Sequence, residues 1–154
     1  MRPWLLLAAL ALSATAPAAQ ESADAMGEAV PADARQPVAM PPLQRALLRE
    51  EMIQHTATVQ QLVDLLGRGE LARAAEVAER DLGLSSMGKH AATTRGMGPG
   101  RFFPPPMRSV GVGMHEAASA FADVAREGDA AAALKALAPV LGACVSCHST
   151  YRLE

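Results

Sequence analysis

Residues 48–66 read Leu-Arg-Glu-Glu-Met-Ile-Gln-His-Thr-Ala-Thr-Val-Gln-Gln-Leu-Val-Asp-Leu-Leu. Within them Leu48, Met52, His55, Val59, Leu62 and Leu66 recur at spacings of four, three, four, three and four. Those spacings place the six side chains on one stripe of an α-helix. Pro41-Pro42 suits the start of that helix, and Gly67 and Gly69 suit its end. Three more stretches share the period. One begins at Glu70, carries Leu71, Ala74, Ala78 and Leu82, and stops at Gly83. The next begins near Met107 and aligns Met107, Val110, Met114, Ala117, Phe121 and Val124. Gly128 then breaks the chain, and Asp129 supplies an N-cap for the last. There Leu134, Leu137, Leu141, Cys144, His148 and Tyr151 fall three and four apart. Pro139 predicts a kink or break inside that helix. Ser85 reads as the cap of a short extra turn reaching His90. The glycines and prolines of 93–106 forbid a regular helix there. No stretch alternates as a strand does. Four such stripes, joined mostly by short turns, predict an all-α chain, an antiparallel four-helix bundle over 43–154.

The residues before the bundle divide in two. Arg2, the apolar run Leu5–Leu12 and the small residues Ala16-Pro17-Ala18 make a secretory signal peptide over 1–18. Residues 19–42 are rich in Ala, Pro, Glu and Asp and show no apolar period, so a disordered leader is expected. Cleavage after Ala18 would remove Arg2 and Trp4, taking the formal charge from −2 to −3. That balance argues against nucleic acid or an anionic membrane as partner. No segment after the signal is expected to be long and apolar enough to cross a bilayer. The expected compartment is the periplasm.

The chain has two cysteines, Cys144 and Cys147. They are too close to close a stabilising loop as a disulfide. They stand in Cys144-Val145-Ser146-Cys147-His148, the haem-attachment pattern CxxCH. Two cysteines at i and i+3 share one side of a helical turn. Each thiol can add to one vinyl group of the same porphyrin, and the adjacent histidine is then held beneath the iron as proximal ligand. A thioredoxin-like pair would need a βαβ context. A zinc site would need further ligands. The predicted cofactor is one covalent haem c.

Cys144 to Arg152 continues as Cys-Val-Ser-Cys-His-Ser-Thr-Tyr-Arg. This resembles the CxxCHxxYR ending of the class II c-type cytochromes, the cytochrome c′ family. The resemblance implies a four-helix bundle with haem on its C-terminal helix. It implies that Cys144 and Cys147 bind the haem and that His148 ligates the iron. It places Tyr151 near the haem and Arg152 near its exposed edge, within reach of a propionate. A homodimer is a further expectation from that family.

The sixth iron position decides between functions. The family's distal residue usually follows an arginine of the first helix by four positions. Counting from Arg49 gives Ile53, one position after Met52. Met52 lies on the core stripe, where a thioether ligand would suit an electron carrier exchanging with redox partner proteins. Filling the core is its other reading. His55 lies on the same stripe and is the alternative ligand. With neither bound, an open iron behind Ile53 and Met52 would take a small gas ligand such as nitric oxide or carbon monoxide. A third reading is copper, held by His90 and His115 with Met87, Met97 and Met107. Arg101-Phe102-Phe103-Pro104-Pro105-Pro106 reads as an interhelix loop with buried aromatics. No constellation suggests a hydrolase or dehydrogenase, so no enzymatic activity is expected.

Overall fold

The computed structural model describes residues 31–154, so the signal peptide and most of the leader lie outside the described residues. Residues 31–33 end an N-terminal unit of 1–33 and carry no regular structure. The described helices belong to the second unit, 34–154. Four are long: α1 Pro42–Gly67, α2 Leu71–Asp81, α3 Pro105–Arg126 and α4 Ala130–Thr150. The all-α bundle is the fold the stripes predict.

Local chemistry sets the helix ends. Pro42 occupies the first turn of α1, where its missing N–H costs nothing. The Asp129 carboxylate accepts the backbone N–H of Ala131 at 2.8 Å and of Ala132 at 3.0 Å, capping α4. Gly69 (φ 72°) and Gly128 (φ 86°) sit left-handed and let the chain reverse within a few residues.

The dense core occupies one end of the bundle. Phe121, Leu62, Leu65, Leu82, Leu137 and Val140 are fully buried there. Ala74, Ala78, Ala118, Ala122 and Ala133 lie among them and let the backbones approach. Burying each of the large side chains contributes roughly 1.5–3 kcal/mol. Along α1 the stripe therefore changes role. Leu62 joins the core, whereas Leu48, Met52 and His55 line a cavity.

Several expectations need correction. In α4 the buried stripe is Ala133, Leu137 and Val140, while Leu134 is 60% and Leu141 39% exposed. This helix is apolar on more than one side, so its period does not single out the packed face; small Ala133, Ala136 and Ala143 do. The helix is also continuous through Pro139. Pro139 is exposed, so the carbonyl that its ring leaves unbonded can be solvated. At 21 residues, α4 is long and apolar enough to cross a bilayer by length and composition, contrary to the expectation above. It packs along α3.

Strands were not expected, yet Gln36–Val38 (β1) pairs in parallel with Tyr151–Leu153 (β2). Tyr151 therefore ends α4 instead of extending its stripe. A three-residue strand is too short to show a period, and its partner lies more than a hundred residues away. β1 also falls inside the segment expected to be a disordered leader. Ser85 caps nothing: its N–H and hydroxyl both donate to the Glu79 carboxylate, and the cap position of the 3₁₀ turn Leu84–Ser86 is Gly83. The connection to α3 holds a single helical turn, Ala91–Thr94, and a 3₁₀ turn, Pro99–Phe102.

Candidate haem site

The cavity has a volume of about 920 Å³, near the top of the range for small-molecule and cofactor sites, roughly 300–1,000 Å³. α1 contributes Leu48, Met52, His55 and Val59 to its wall. α3 contributes Met107, Val110, Met114 and His115. From α4 and β2 come Cys144, Cys147, His148, Tyr151 and Arg152. All seven residues that the sequence singles out for cofactor and iron thus border one space.

Cys144 and Cys147 are free thiols, each half-buried. Burial pushes both thiols up, with the neighbouring Cys144 adding to the effect at Cys147. They are therefore held as thiols at neutral pH. His148 stands in the last turn of α4 and is exposed. Its carbonyl accepts a hydrogen bond from Arg35 Nη1 at 3.3 Å. Beyond it the chain leaves the helix for β2, in register Gln36 with Tyr151 and Pro37 with Arg152. Tyr151 and Arg152 are thus held by backbone pairing across the sequence.

The fit of a haem can be tested on the polar atoms. Two buried side-chain nitrogens among the described residues lack a hydrogen-bond partner, Arg152 Nε and His90 Nε2. Both belong to residues that line the cavity. Leaving such a donor buried and unsatisfied costs about 1–3 kcal/mol. A bound group carrying carboxylates would satisfy Arg152, whose Nη2 otherwise reaches only Glu154 at 3.6 Å. The donor set, two thiols, an imidazole and a buried guanidinium N–H around an apolar wall, fits a haem with its propionates.

Both α1 candidates for the sixth position face the cavity, and Met52 and His55 are each half-buried. Ile53 does not join them: it is 71% exposed, so it cannot pack over an iron in the cavity. Burial lowers the pKa of His55 to about 4, with the charge of Lys89 and then His115 acting in the same direction. His55 is therefore neutral at pH 7 and keeps the lone pair that ligation needs. Its ring meets His115 edge-on, with centroids 6.2 Å apart and planes at 87°. His115 Nδ1 lies 2.7 Å from the Leu82 carbonyl. A carbonyl only accepts, so Nδ1 carries the hydrogen.

Of the candidate copper ligands, four line the cavity and one does not. His90 Nε2 lies 3.1 Å from Glu51 Oε1, outside hydrogen-bond alignment. Met87 and Met107 line the cavity with His90 and His115, but Met97 does not. Among the described residues no three His, Cys, Asp or Glu side chains are placed to hold a metal ion. Of 101–106, only Arg101 and Phe103 border the cavity, and Phe102 and Phe103 are half-buried, as a loop with buried aromatics requires.

Sequence reasoning missed Arg35, Glu51 and Lys89. Glu51 reaches both Lys89 (3.7 Å) and His90 (3.1 Å), and Gln54 accepts from Lys89 Nζ at 3.0 Å. The two Lys89 contacts pin the 87–91 segment to α1 beside the cavity. No local spacing announces contacts between residues so far apart in the chain.

Residues 107–152 match the family model described as cytochrome c′. The matched span holds nearly all of α3, all of α4 and the first two residues of β2. It includes both cysteines, His148, Tyr151 and Arg152. The match supports a c-type haem cytochrome. Comparison with curated proteins and with solved structures finds no match.

Proposed function

We propose that this chain, whose residues 107–152 match the cytochrome c′ family, is a periplasmic monohaem c-type cytochrome that carries electrons and is not an enzyme. One observation carries the reading: Cys144, Cys147 and His148 border the same cavity as Met52 and the unsatisfied Arg152 Nε. Cys144 and Cys147 would hold the haem through thioethers, and His148 would be its proximal ligand. When bound, the haem supplies a one-electron iron couple. Met52 would be the distal ligand, with neutral His55 as the alternative. A thioether opposite an imidazole raises the reduction potential, which suits a carrier. Leu48, Val59, Val110 and Met114 form an apolar wall that would limit water's access to a bound haem. Arg152 would receive a propionate, and β1–β2 pairing keeps it in place.

A second reading is a gas-binding cytochrome with an open iron. The largely apolar wall favours it, because such a wall suits a small uncharged ligand. The optical spectrum of matured holoprotein separates the two. A low-spin ferric spectrum with the sulfur-to-iron charge-transfer band, lost in Met52→Ala and kept in His55→Ala, is the expected result. A high-spin spectrum that shifts promptly with carbon monoxide after reduction would overturn the carrier reading and leave the gas-binding one. Protein that takes up no covalent haem would overturn both.

A further inference from the structure

The charges of the chain are segregated. Residues 62–82 and 116–135, which surround the dense core, carry nine acidic and five basic side chains. The cavity has the opposite balance. Arg35, Arg49, Lys89, Arg101, Arg108 and Arg152 all line it, and among the described residues Glu51 is the only carboxylate that does so. Glu51 already faces Lys89 at 3.7 Å. Arg108 spends one guanidinium nitrogen on the Arg101 and Phe103 carbonyls, which positions the group without neutralising it. Arg49 and Arg101 are exposed, and neither guanidinium has a hydrogen-bonding or ionic partner among the described residues. A chain of formal charge −2 thus presents a cationic mouth around its cavity.

Such a mouth concentrates field lines and speeds encounter with a partner of opposite charge. The acidic far end acts in the same sense, because it turns that end away from the same partner. Met87, which lines the cavity and is 46% exposed, provides an apolar contact inside the charged rim. A small patch with a charged rim suits a short-lived complex.

We propose that the rim of Arg35, Arg49, Lys89, Arg101 and Arg108 is a docking surface for an acidic protein, oriented so that the cavity faces it. The proposal rests on the haem-site reading only for its purpose, since charge recognition does not itself need the haem. Two measurements on one holoprotein sample test it. The first is fluorescence polarisation of a labelled glutamate-rich peptide, with haem loading read from the optical spectrum of the same sample. Binding should weaken steadily with salt. The Arg49→Glu/Arg101→Glu double variant should bind roughly tenfold more weakly, and Lys135→Glu, at the far end, should bind as wild type does. The second is the rate of exchange with small oxidants. An anionic complex such as ferricyanide should slow in the double variant, whereas a cationic cobalt complex should speed up. A salt-independent interaction, or equal loss in Lys135→Glu, would overturn the proposal. So would a double variant that behaves as wild type. Protein that takes up no covalent haem under maturation conditions yet still binds the peptide would overturn the haem reading and leave this one standing.

Discussion

Gly83 lies between α2 and the connection that borders the cavity, and its replacement by alanine makes a sharp test of the packing there. Its φ of −71° is open to any residue, so conformational freedom is not what requires glycine. Space is. A β-carbon at 83 would lie 2.5 Å from Glu79 Oε2, 2.7 Å from its Cδ and 2.8 Å from its Cα. The side-chain atoms can swing away, but the Cα belongs to α2 and cannot. If Glu79 swings, it abandons the Ser85 N–H (3.1 Å), the Ser85 hydroxyl and the Ser119 hydroxyl (2.5 Å). Ser119 in turn accepts the Leu84 N–H at 2.9 Å, so the start of the connection loses its moorings together. Overpacking of this kind costs about 1–3 kcal/mol. In urea, with a slope of about 1–3 kcal/mol per molar, the unfolding midpoint of Gly83→Ala should fall by roughly 1 M. The double variant with Glu79→Ala should lose less than the two single losses added, because part of the alanine's cost passes through the carboxylate. Circular dichroism at equilibrium measures all four proteins of the cycle. A Gly83→Ala loss within about 0.5 kcal/mol, or strict additivity with Glu79→Ala, would refute the contact.

Three further outcomes are expected. Phe121→Ala removes the largest fully buried side chain and should cost about 3–5 kcal/mol, seen as a drop in Tm of at least about 10 °C; a loss near that of a surface substitution would place the core elsewhere. Asp129→Ala should cost about 0.5–2 kcal/mol with most of it restored in Asp129→Asn, because both side chains can accept the Ala131 and Ala132 N–H groups; equal losses in the two variants would mean the cap is not what matters. His55 titrates near 4 in the fold against 6.5 ordinarily, so the unfolded chain binds more protons between those values and stability should rise with pH across that window. After allowance for partial exposure the rise should be roughly 1–2 kcal/mol. It should vanish in His55→Gln, and an unchanged pH profile in that variant would assign it to another group.

What the sequence made legible follows its periodicity. α2 and α3 each carry large apolar residues on one side and charge on the other, so Leu71, Ala74, Ala78 and Leu82, and likewise Met107, Met114 and Phe121, are buried as their spacing requires. α4 defeats the same logic because its mean apolarity is high on several sides. Its packed face is chosen by small residues that fit against α3, a pairwise property that one helix does not encode. The site was legible for a different reason. Cys144, Cys147 and His148 are close in the chain, and chemistry fixes their spacing. The Met52 and His55 positions were legible only as a stripe, and whether either would serve an iron depends on distances across the cavity. Arg35, Glu51 and Lys89 could not be found at all, since each acts on a segment more than thirty residues away.

The strand pair shows how this matters for the chemistry. The motif ends on Tyr151 and Arg152, the first two residues past the end of a helix, where frayed backbone would leave both side chains free to wander. Pairing with Gln36–Val38 removes that freedom, and Val38 is buried as part of the join. Arg35, immediately before β1, donates to the carbonyl of His148, so the same short segment touches the proposed proximal ligand and fixes the arginine four residues beyond it. Arg45 of α1 donates to the Glu154 carbonyl and closes the arrangement from the other side. The residues just before the first helix thus belong to the cofactor end of the molecule. Removing residues up to Val38 should loosen Arg152 while leaving Leu62, Phe121 and Leu137 packed, because none of the core residues draws on that segment.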